Sequence, residues 1–194
     1  PFLWMLSTSL KNEGATMVLP PEFIPKEPTM ENYKEVVERF PMMRFLFNSL
    51  FVAILTTVGQ IILSSMAGFA FARMQFKGRD QLFLLYLATM MVPVQVTMIP
   101  QFILLQSIGW INTYQALIVP SIFGVFGTFL MRQAMLSIPK ELEEAAFMDG
   151  ANHFQVFWRV ILPMVKPTIA TLTIFTFMGS WNSYLWPLIV ISSE

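Results

Sequence analysis

The sequence predicts an all-α integral membrane protein, a polytopic bundle of transmembrane helices, from its composition and from the positions of its charges. Of the 194 residues, 55% are hydrophobic and 12% are charged, whereas roughly 25% of the residues of a soluble domain are charged. The segments 45–72, 81–131 and 167–193 contain no Asp, Glu, Lys or Arg. Because a helix of about 20 apolar residues crosses a bilayer, each segment can span the membrane, and the middle one can do so twice.

This pattern predicts four complete spans, at residues 45–72, 81–106, 114–131 and 168–191. Residues 1–10 are apolar but too few to cross a bilayer, so they predict the end of a further span. Pro93 and Pro100 interrupt the second span, since a proline inside a helix leaves backbone groups that neighbouring helices or a water-lined cavity must satisfy.

The polar segments between the spans predict the orientation of the chain. Residues 11–44 predict an extracytoplasmic loop with one short helix, Glu31 to Phe40, that Pro41 stops. The loops 73–80 and 132–166 lie on the opposite side and carry seven Lys or Arg, against five on the side of residues 11–44. The positive-inside rule therefore places these two loops in the cytoplasm.

Several classes of function lack the residues that they need. The net charge is zero, and the chain has no Cys and one His, His153. Neither a basic nucleic-acid surface nor a metal site is therefore predicted. An intramembrane enzyme and an ion-coupled secondary transporter remain alternatives, but the charge-free segments contain no Asp, Glu, His or Cys for their chemistry. No Gly-x-x-x-x-Gly-Lys-Ser/Thr loop is present, so the chain itself is not expected to bind ATP.

The segment 132–166 is more structured than a simple connector. Acidic residues after Pro139 suit the start of a helix, and Asp149-Gly150 predicts its end. A second short helix is predicted from Asn152, which begins a capping-box pattern, to Pro163. From spacing alone, one interpretation is a helical hairpin that lies at the membrane interface with its aromatic side chains among the headgroups.

The residues of this segment also form a specific string. Glu144-Ala145-Ala146, with Gly150 four residues later and Val160-Ile161-Leu162-Pro163 after nine more, resembles the EAA signature of the permease subunits of bacterial ABC importers. The family pattern has Ile at the position of Val160, which is a conservative difference. Trp181-Asn182 and Pro187-Leu188 downstream look like the carbohydrate-importer branch, and the maltose-permease type in particular.

The resemblance extends over essentially the whole chain and implies a helix bundle of the ABC importer type. Since the family normally has six spans, the chain is expected to be truncated at both ends. The resemblance also implies that residues 132–166 are a coupling loop that docks into a groove on a cytoplasmic ATPase. Its implied coupling residues are Glu144, Ala145, Ala146, Asp149, Gly150 and Ala151. Glu144 would pair with a basic group of the ATPase, the small residues would permit close contact, and Gly150 would allow the turn.

The same resemblance implies the partners. A cytoplasmic ABC ATPase dimer would hydrolyse ATP, a second permease subunit would complete the pore, and an extracytoplasmic solute-binding protein would deliver a small-molecule substrate, a sugar or a related polyol. The complex would sit among the lipids of a bacterial cell membrane, inner or cytoplasmic. No cofactor, metal, catalytic residue or nucleic acid is expected for this chain.

A polar pathway for the solute is predicted within the spans. Ser49, Thr56, Gln60 and Ser64 form one polar stripe on an otherwise apolar helix, which should face other helices or water. Interhelical hydrogen bonding explains the hydroxyls, but Gln60 is a candidate for the pathway because its amide both donates and accepts. Trp181, Asn182 and Tyr184 are further candidates, since rings beside an amide suit a sugar, although an aromatic belt at the interface also explains the two rings.

Overall fold

The computed structural model describes residues 1–16 and 22–192, and their regular secondary structure is helical throughout. The chain divides into two compact units, residues 1–49 and 50–194. The helices are α1 (Phe2–Ser9), α2 (Glu31–Arg39), α3 (Met42–Arg73), α4 (Arg79–Ala88), α5 (Val94–Ser107), α6 (Tyr114–Ile118), α7 (Val125–Leu136), α8 (Glu141–Met148), α9 (His153–Val156), α10 (Leu162–Met164), α11 (Lys166–Trp181) and α12 (Leu185–Val190). Short 3₁₀ turns lie at Glu13–Ala15, Thr89–Met91 and Pro120–Ile122, and Phe157–Ile161 is a π-helix.

In the first unit, α2 is tied to the end of α1 by a side-chain amide. Asn32 Nδ2 donates to the carbonyl oxygens of Ser9 and Lys11, at 3.0 and 2.8 Å. The Lys11 ammonium lies 4.7 Å from the centre of the Trp4 ring and is almost fully buried. Helix α2 matches the predicted short helix but ends one residue earlier, because Phe40 precedes Pro41 and is extended.

Among the described residues, two helical segments are long and apolar enough to cross a membrane, by length and composition. They are α3 and the run Tyr114–Leu136, in which α6 and α7 follow one another across a 3₁₀ turn. Two more pairs reach that length only if a bend is allowed. Arg79–Met91 and Val94–Ser107 meet at 98°, and His153–Met164 and Lys166–Trp181 meet at 78°.

The predicted span 81–106 corresponds to the first bent pair, whereas the predicted span 168–191 consists of α11 and α12 and does not correspond to the second bent pair. Pro93 causes the break in the first of them, because Val92 before it is extended. Pro100, in contrast, lies inside α5 without ending it, so the predicted interruption there is wrong. In the span 168–191, α11 ends at Trp181 and three residues separate it from α12. The position of all four segments in a membrane stays a prediction.

Helices α3 and α7 pack closely because glycines lie at their interface. A Cβ on Gly127 would lie 2.5 Å from Ser64 Oγ, and a Cβ on Gly68 would lie 2.8 Å from Met131 Cβ. Small residues let two helix backbones approach in this way, and dispersion contacts then hold them without a hydrophobic driving force.

The main hydrophobic core lies where the carboxyl ends of α3 and α7 meet the segment 132–166. Its buried members are Phe69, Ala72, Met131, Met135, Ile138, Val156, Phe157, Ile161, Val165 and Leu172. The Phe69 and Phe157 rings are 5.1 Å apart. The inner side of the loop is thus part of the same packed body as the long helices.

Candidate functional sites in the loop and between the helices

The turn after α8 is closed by two backbone hydrogen bonds. Gly150 N–H donates to Phe147 O and Ala151 N–H donates to Ala146 O, each at 3.0 Å. This pair is the Schellman arrangement, which requires a left-handed residue just after the helix, and Gly150 has φ +85°. The prediction that Asp149-Gly150 ends the first loop helix is confirmed.

The second loop helix begins as predicted and ends at Met164, one residue after the predicted stop at Pro163. Gln155 N–H donates to Asn152 Oδ1 at 2.9 Å, and Asn152 N–H donates to Gln155 Oε1 at 2.8 Å, which completes the capping box. The run His153–Met164 is continuous through the π-helix Phe157–Ile161, and a 78° bend separates it from α11. The intervening π-helix buries Phe157 and leaves Trp158 46% exposed.

The six predicted coupling residues cluster at one corner, residues 144–151, of the segment 132–166. Glu144, Ala145, Asp149 and Gly150 are exposed. Ala146 and Ala151 are half-buried and pack on the main core. The outer surface of the corner therefore consists of charged and small residues together with Met148, which is 88% exposed. Its inner surface packs on the main core through Ala146 and Ala151.

Glu143, which the sequence did not single out, faces inward instead. Its Oε1 lies 2.9 Å from Arg73 Nε, and the two side chains are 12% and 3% exposed. The two atoms form an ion pair without the alignment of a hydrogen bond. Burial raises the pKa of the Glu143 carboxyl above its ordinary value, and the charges of Arg73 and Lys140 oppose that rise.

Arg73 also reaches the carboxyl end of α7. Its Nη2 donates to the carbonyl oxygens of Met135 and Ile138. These carbonyls belong to the last turn of a helix and the residues just after it, where acceptors lack intrahelical partners. One guanidinium therefore connects α3, α7 and α8.

Arg132 makes the reciprocal contact from α7 to α3. Its Nε donates to Phe71 O at 3.2 Å, and its guanidinium lies 4.1 Å from the centre of the Phe83 ring. Its Nη2 is 3.7 Å from Asp80 Oδ1 at the start of α4. Each of α3 and α7 thus supplies an arginine to the carboxyl end of the other.

A cavity of about 320 Å³, here the first cavity, lies among α3, α6, α7, α11 and α12. Its polar lining residues are Thr56, Gln60, Ser121, Thr176, Ser180 and Ser183. Its aromatic lining residues are Phe126, Phe175 and Trp186. Thr56 is 2% exposed, and its Oγ1 has no hydrogen-bond partner among residues 1–16 and 22–192. The cavity therefore offers hydroxyl and amide groups beside ring faces.

A second cavity, of about 410 Å³, adjoins the first. It is lined by Val94, Met98, Gln101, Pro120 and Tyr184, among others. Ser121, Ser183 and Trp186 line both cavities. Trp186 is held in place because its Nε1 donates to Ala116 O at 3.0 Å.

The predicted pathway residues separate into two groups. Gln60 lines the first cavity and Tyr184 the second. Within the described part of the chain, the linings of these two cavities do not include Trp181 or Asn182. The Trp181 ring stacks on Phe177 at 5.9 Å, and Asn182 Nδ2 donates to Met178 O at 2.8 Å, which caps the end of α11.

Sequence reasoning missed the hydroxyls that α11 contributes. Thr176 and Ser180 are four residues apart and so share a helix face, which is the signal that could have identified them. In residues 1–16 and 22–192 there is no cluster of three or more His, Asp or Glu that could hold a metal ion.

Comparison with known proteins places the chain among transport proteins. Residues 60–194 match the family described as binding-protein-dependent transport system inner membrane component. The chain is 36% identical to an arabinooligosaccharides transport system permease protein of Halalkalibacterium halodurans, over 97% of this chain and 66% of that protein. It is 38% identical to an sn-glycerol-3-phosphate transport system permease protein of Brucella abortus, over 90% of this chain and 64% of that protein.

A solved structure shares the fold. A chain in the crystal structure of a bacterial ABC transporter involved in the import of the acidic polysaccharide alginate superposes with a TM-score of 0.91 at 26% identity, over 100% of this chain and 68% of that one. The chain thus spans about two thirds of the length of the proteins that it matches. The relatives are named as permeases, so the alternative of an intramembrane enzyme is not supported.

Proposed function

Because the chain belongs to the family of binding-protein-dependent transport system inner membrane components, we propose that it is a permease subunit of an ATP-driven importer of sugars or related polyols. The relatives are named for arabinooligosaccharides and sn-glycerol-3-phosphate, and the structural neighbour for alginate. These solutes share a chain or ring of hydroxyl groups, which supports a polyhydroxylated solute for this protein.

The observation that carries the proposal is the loop corner, residues 144–151. It is exposed on its outer side and packed into the core of the long helices on its inner side. Such a corner can bind a partner and pass the partner's movement inward. The partner proposed here is a dimer of a cytoplasmic ABC ATPase, with Glu144 paired to a basic group and Ala145 and Gly150 allowing close approach.

The remaining partners follow from the same proposal. A second permease subunit completes the translocation path, and an extracytoplasmic solute-binding protein docks on the side of residues 11–44. This arrangement requires residues 132–166 to face the cytoplasm of a bacterial cell, where ATP is available. ATP is hydrolysed by the partner and not by this chain.

The first cavity supports the choice of solute class. A polyol presents hydroxyl groups that donate and accept, and a sugar also presents an apolar ring face. The cavity holds both kinds of partner, since Thr56 and Gln60 on α3 and Thr176 and Ser180 on α11 line it together with aromatic rings. Gln60 and Tyr184 are proposed to lie on the solute path. Trp181 and Asn182 are proposed to lie outside it and to pack on and cap α11.

The coupling role is tested with Glu144→Lys and Gly150→Pro in the full-length protein expressed with its partner subunits. Both variants should insert into the membrane normally but lose solute uptake and co-purification of the ATPase. In the first, the reversed charge repels the basic partner group. In the second, proline cannot adopt the left-handed φ at position 150.

Glu141→Lys is the matched control, since Glu141 is an exposed glutamate on the same helix outside the corner. It should retain uptake and the ATPase. Normal uptake with normal ATPase retention in both corner variants would remove the coupling assignment.

A further inference from the structure

The exposed corner raises the question of how α8 is attached to the membrane helices. Among the described residues of α8, Glu143 is the buried one. Its ion-pair partner, Arg73, is the last residue of α3, and the Arg73 side chain is 3% exposed. The fully buried contact of α8 is thus a charged pair, beside the half-buried Ala146 that packs on the main core.

We propose that Arg73 and Glu143 are positioning residues for transport, which hold α8 in register with α3 and α7 so that movement of the loop corner reaches the long helices. This inference rests on the proposed function, since it concerns how the coupling loop acts once an ATPase has bound it. The two residues bind neither solute nor nucleotide.

The geometry of α8 supports this division of roles. Glu143 and Glu144 are adjacent, so their side chains point about 100° apart around the helix. Glu144 is exposed at the corner, and Glu143 is turned toward Arg73. A force on the outer face of this two-turn helix is therefore delivered to the guanidinium on its inner face.

The guanidinium is suited to pass that force to two helices at once. Arg73 is covalently part of α3, and its Nη2 also binds the Met135 and Ile138 carbonyls at the end of α7. A planar guanidinium has five donors in a rigid fork, whereas a lysine ammonium is a point charge on a flexible stem. Lysine at position 73 would keep the charge but lose the simultaneous hold on α7 and α8.

Arg132 provides an internal comparison. It binds Phe71 O, contacts the Phe83 ring and lies near Asp80. Its contacts therefore tie α7 to α3 and α4, and α8 is not among them. Loss of Arg132 should loosen the bundle without acting on the attachment of the loop.

The test uses the full-length protein in the complete, membrane-reconstituted complex, with Glu143→Ala and Arg73→Lys as the variants. Three quantities are measured: ATPase co-purification, ATP hydrolysis, and solute transported per ATP hydrolysed. The ATPase should be retained, because the corner is intact. Transport per ATP should fall roughly tenfold or more. Glu143→Ala leaves the buried Arg73 without its carboxylate partner, and Arg73→Lys replaces the planar guanidinium that holds Glu143. Glu141→Ala, on the exposed face of the same helix, should leave all three unchanged.

A distance measurement separates positioning from general stability. The chain has no native Cys, so spin labels can be placed at the exposed positions Met148 and Lys77 alone. In the parent protein the distance between them should be narrowly distributed. In Glu143→Ala it should broaden, whereas in Arg132→Gln, which disturbs the bundle but not the α8 attachment, it should stay narrow.

If the single variants fail to assemble, the double variant Arg73→Met with Glu143→Leu keeps the space filled and removes both charges, which is usually tolerated in a protein interior. It should assemble and still transport poorly for each ATP hydrolysed. Parent-like transport per ATP in Glu143→Ala, or in the double variant where the single ones fail, would overturn the inference. Failure of the parent itself to retain an ATPase would instead overturn the proposed function.

Discussion

Gln60 and Asn182 both carry a side-chain amide, but their surroundings differ. Gln60 lines the first cavity and packs on the backbone of Gly124, where an added Cβ would lie 1.8 Å from Gln60 Nε2. The Asn182 amide instead donates to a backbone carbonyl of its own helix. The same functional group therefore lines a cavity in one case and caps a helix in the other.

This contrast predicts different phenotypes for the two alanine variants. Gln60→Ala should change the apparent affinity or the solute preference of uptake at normal complex yield. Asn182→Ala should leave the preference unchanged and lower stability by about 1 kcal/mol, the usual value of one such hydrogen bond. Competition of radiolabelled uptake by a panel of sugars and polyols checks the first, and thermal unfolding of the purified complex checks the second. An unchanged solute profile for Gln60→Ala would remove this residue from the path.

The close packing of α3 on α7 predicts that a larger side chain at the interface lowers the stability of the protein. In Gly127→Ala the new Cβ would lie 2.5 Å from Ser64 Oγ, so the helices must separate or the serine must move. The expected loss of stability is about 1–3 kcal/mol, as for other overpacked interiors. Gly179→Ala is the control, because in the described part of the chain no atom beyond its chain neighbours and its own helix backbone lies within 4 Å of its added Cβ. Equal melting temperatures for the two variants would contradict the close packing.

At the scale of helices and loops, the prolines of the chain differ in whether they interrupt a helix. Pro93 sets a break because Val92 before it is extended, whereas Pro100 is absorbed into α5. Pro163 instead lies one residue before the end of the run His153–Met164, where a 78° bend follows. Pro100 is the seventh residue of α5, beyond the first turn, so its absent N–H leaves the backbone carbonyl four residues earlier without its intrahelical partner although the helix continues.

The orientation of the loops is the prediction that belongs to this scale. Positions 77 and 153 should be cytoplasmic and position 26 extracytoplasmic, and all three side chains are exposed. Lys26→Cys, Lys77→Cys and His153→Cys can be labelled singly with an impermeant thiol reagent, since the chain has no native Cys. Only Lys26→Cys should react in intact cells, and all three should react after the cells are opened. Labelling of Lys77→Cys from outside would refute the topology.

At the scale of the whole molecule, the family match and the solved structure agree on an all-α membrane protein. The superposition on the solved structure covers the full chain with a TM-score of 0.91, and the relatives are named as transport permeases. The predicted fold class and the resemblance to the carbohydrate-importer branch are confirmed. The coupling residues, the solute path and the membrane positions of the spans stay predictions.

The proposed assembly makes a prediction of stoichiometry. The full-length complex extracted in detergent should contain one copy of this chain, one second permease subunit and two ATPase copies, because each permease offers one coupling loop. Native mass spectrometry measures this composition directly. A complex with a single ATPase copy would contradict the prediction that each permease subunit binds one ATPase through its own coupling loop.

The sequence alone determined the features that depend on composition and on neighbouring residues. Long charge-free segments predict membrane helices, because charge in lipid is costly. The turn at Asp149-Gly150 and the capping box at Asn152 depend on residues within a few positions of each other. The string from Glu144 to Pro163 is local too, and it sufficed to identify the family.

Only the tertiary structure decided which distant residues meet. Arg73 and Glu143 are 70 positions apart, and the string that singles out Glu144 does not show that Glu143 beside it is buried. The rotation of α8 about its axis, which the packing of Ala146 on the core sets, turns one glutamate inward and the other outward. The first cavity depends in the same way on how α3 and α11 are rotated toward each other, since helical periodicity shows which residues share a face but not what that face contacts.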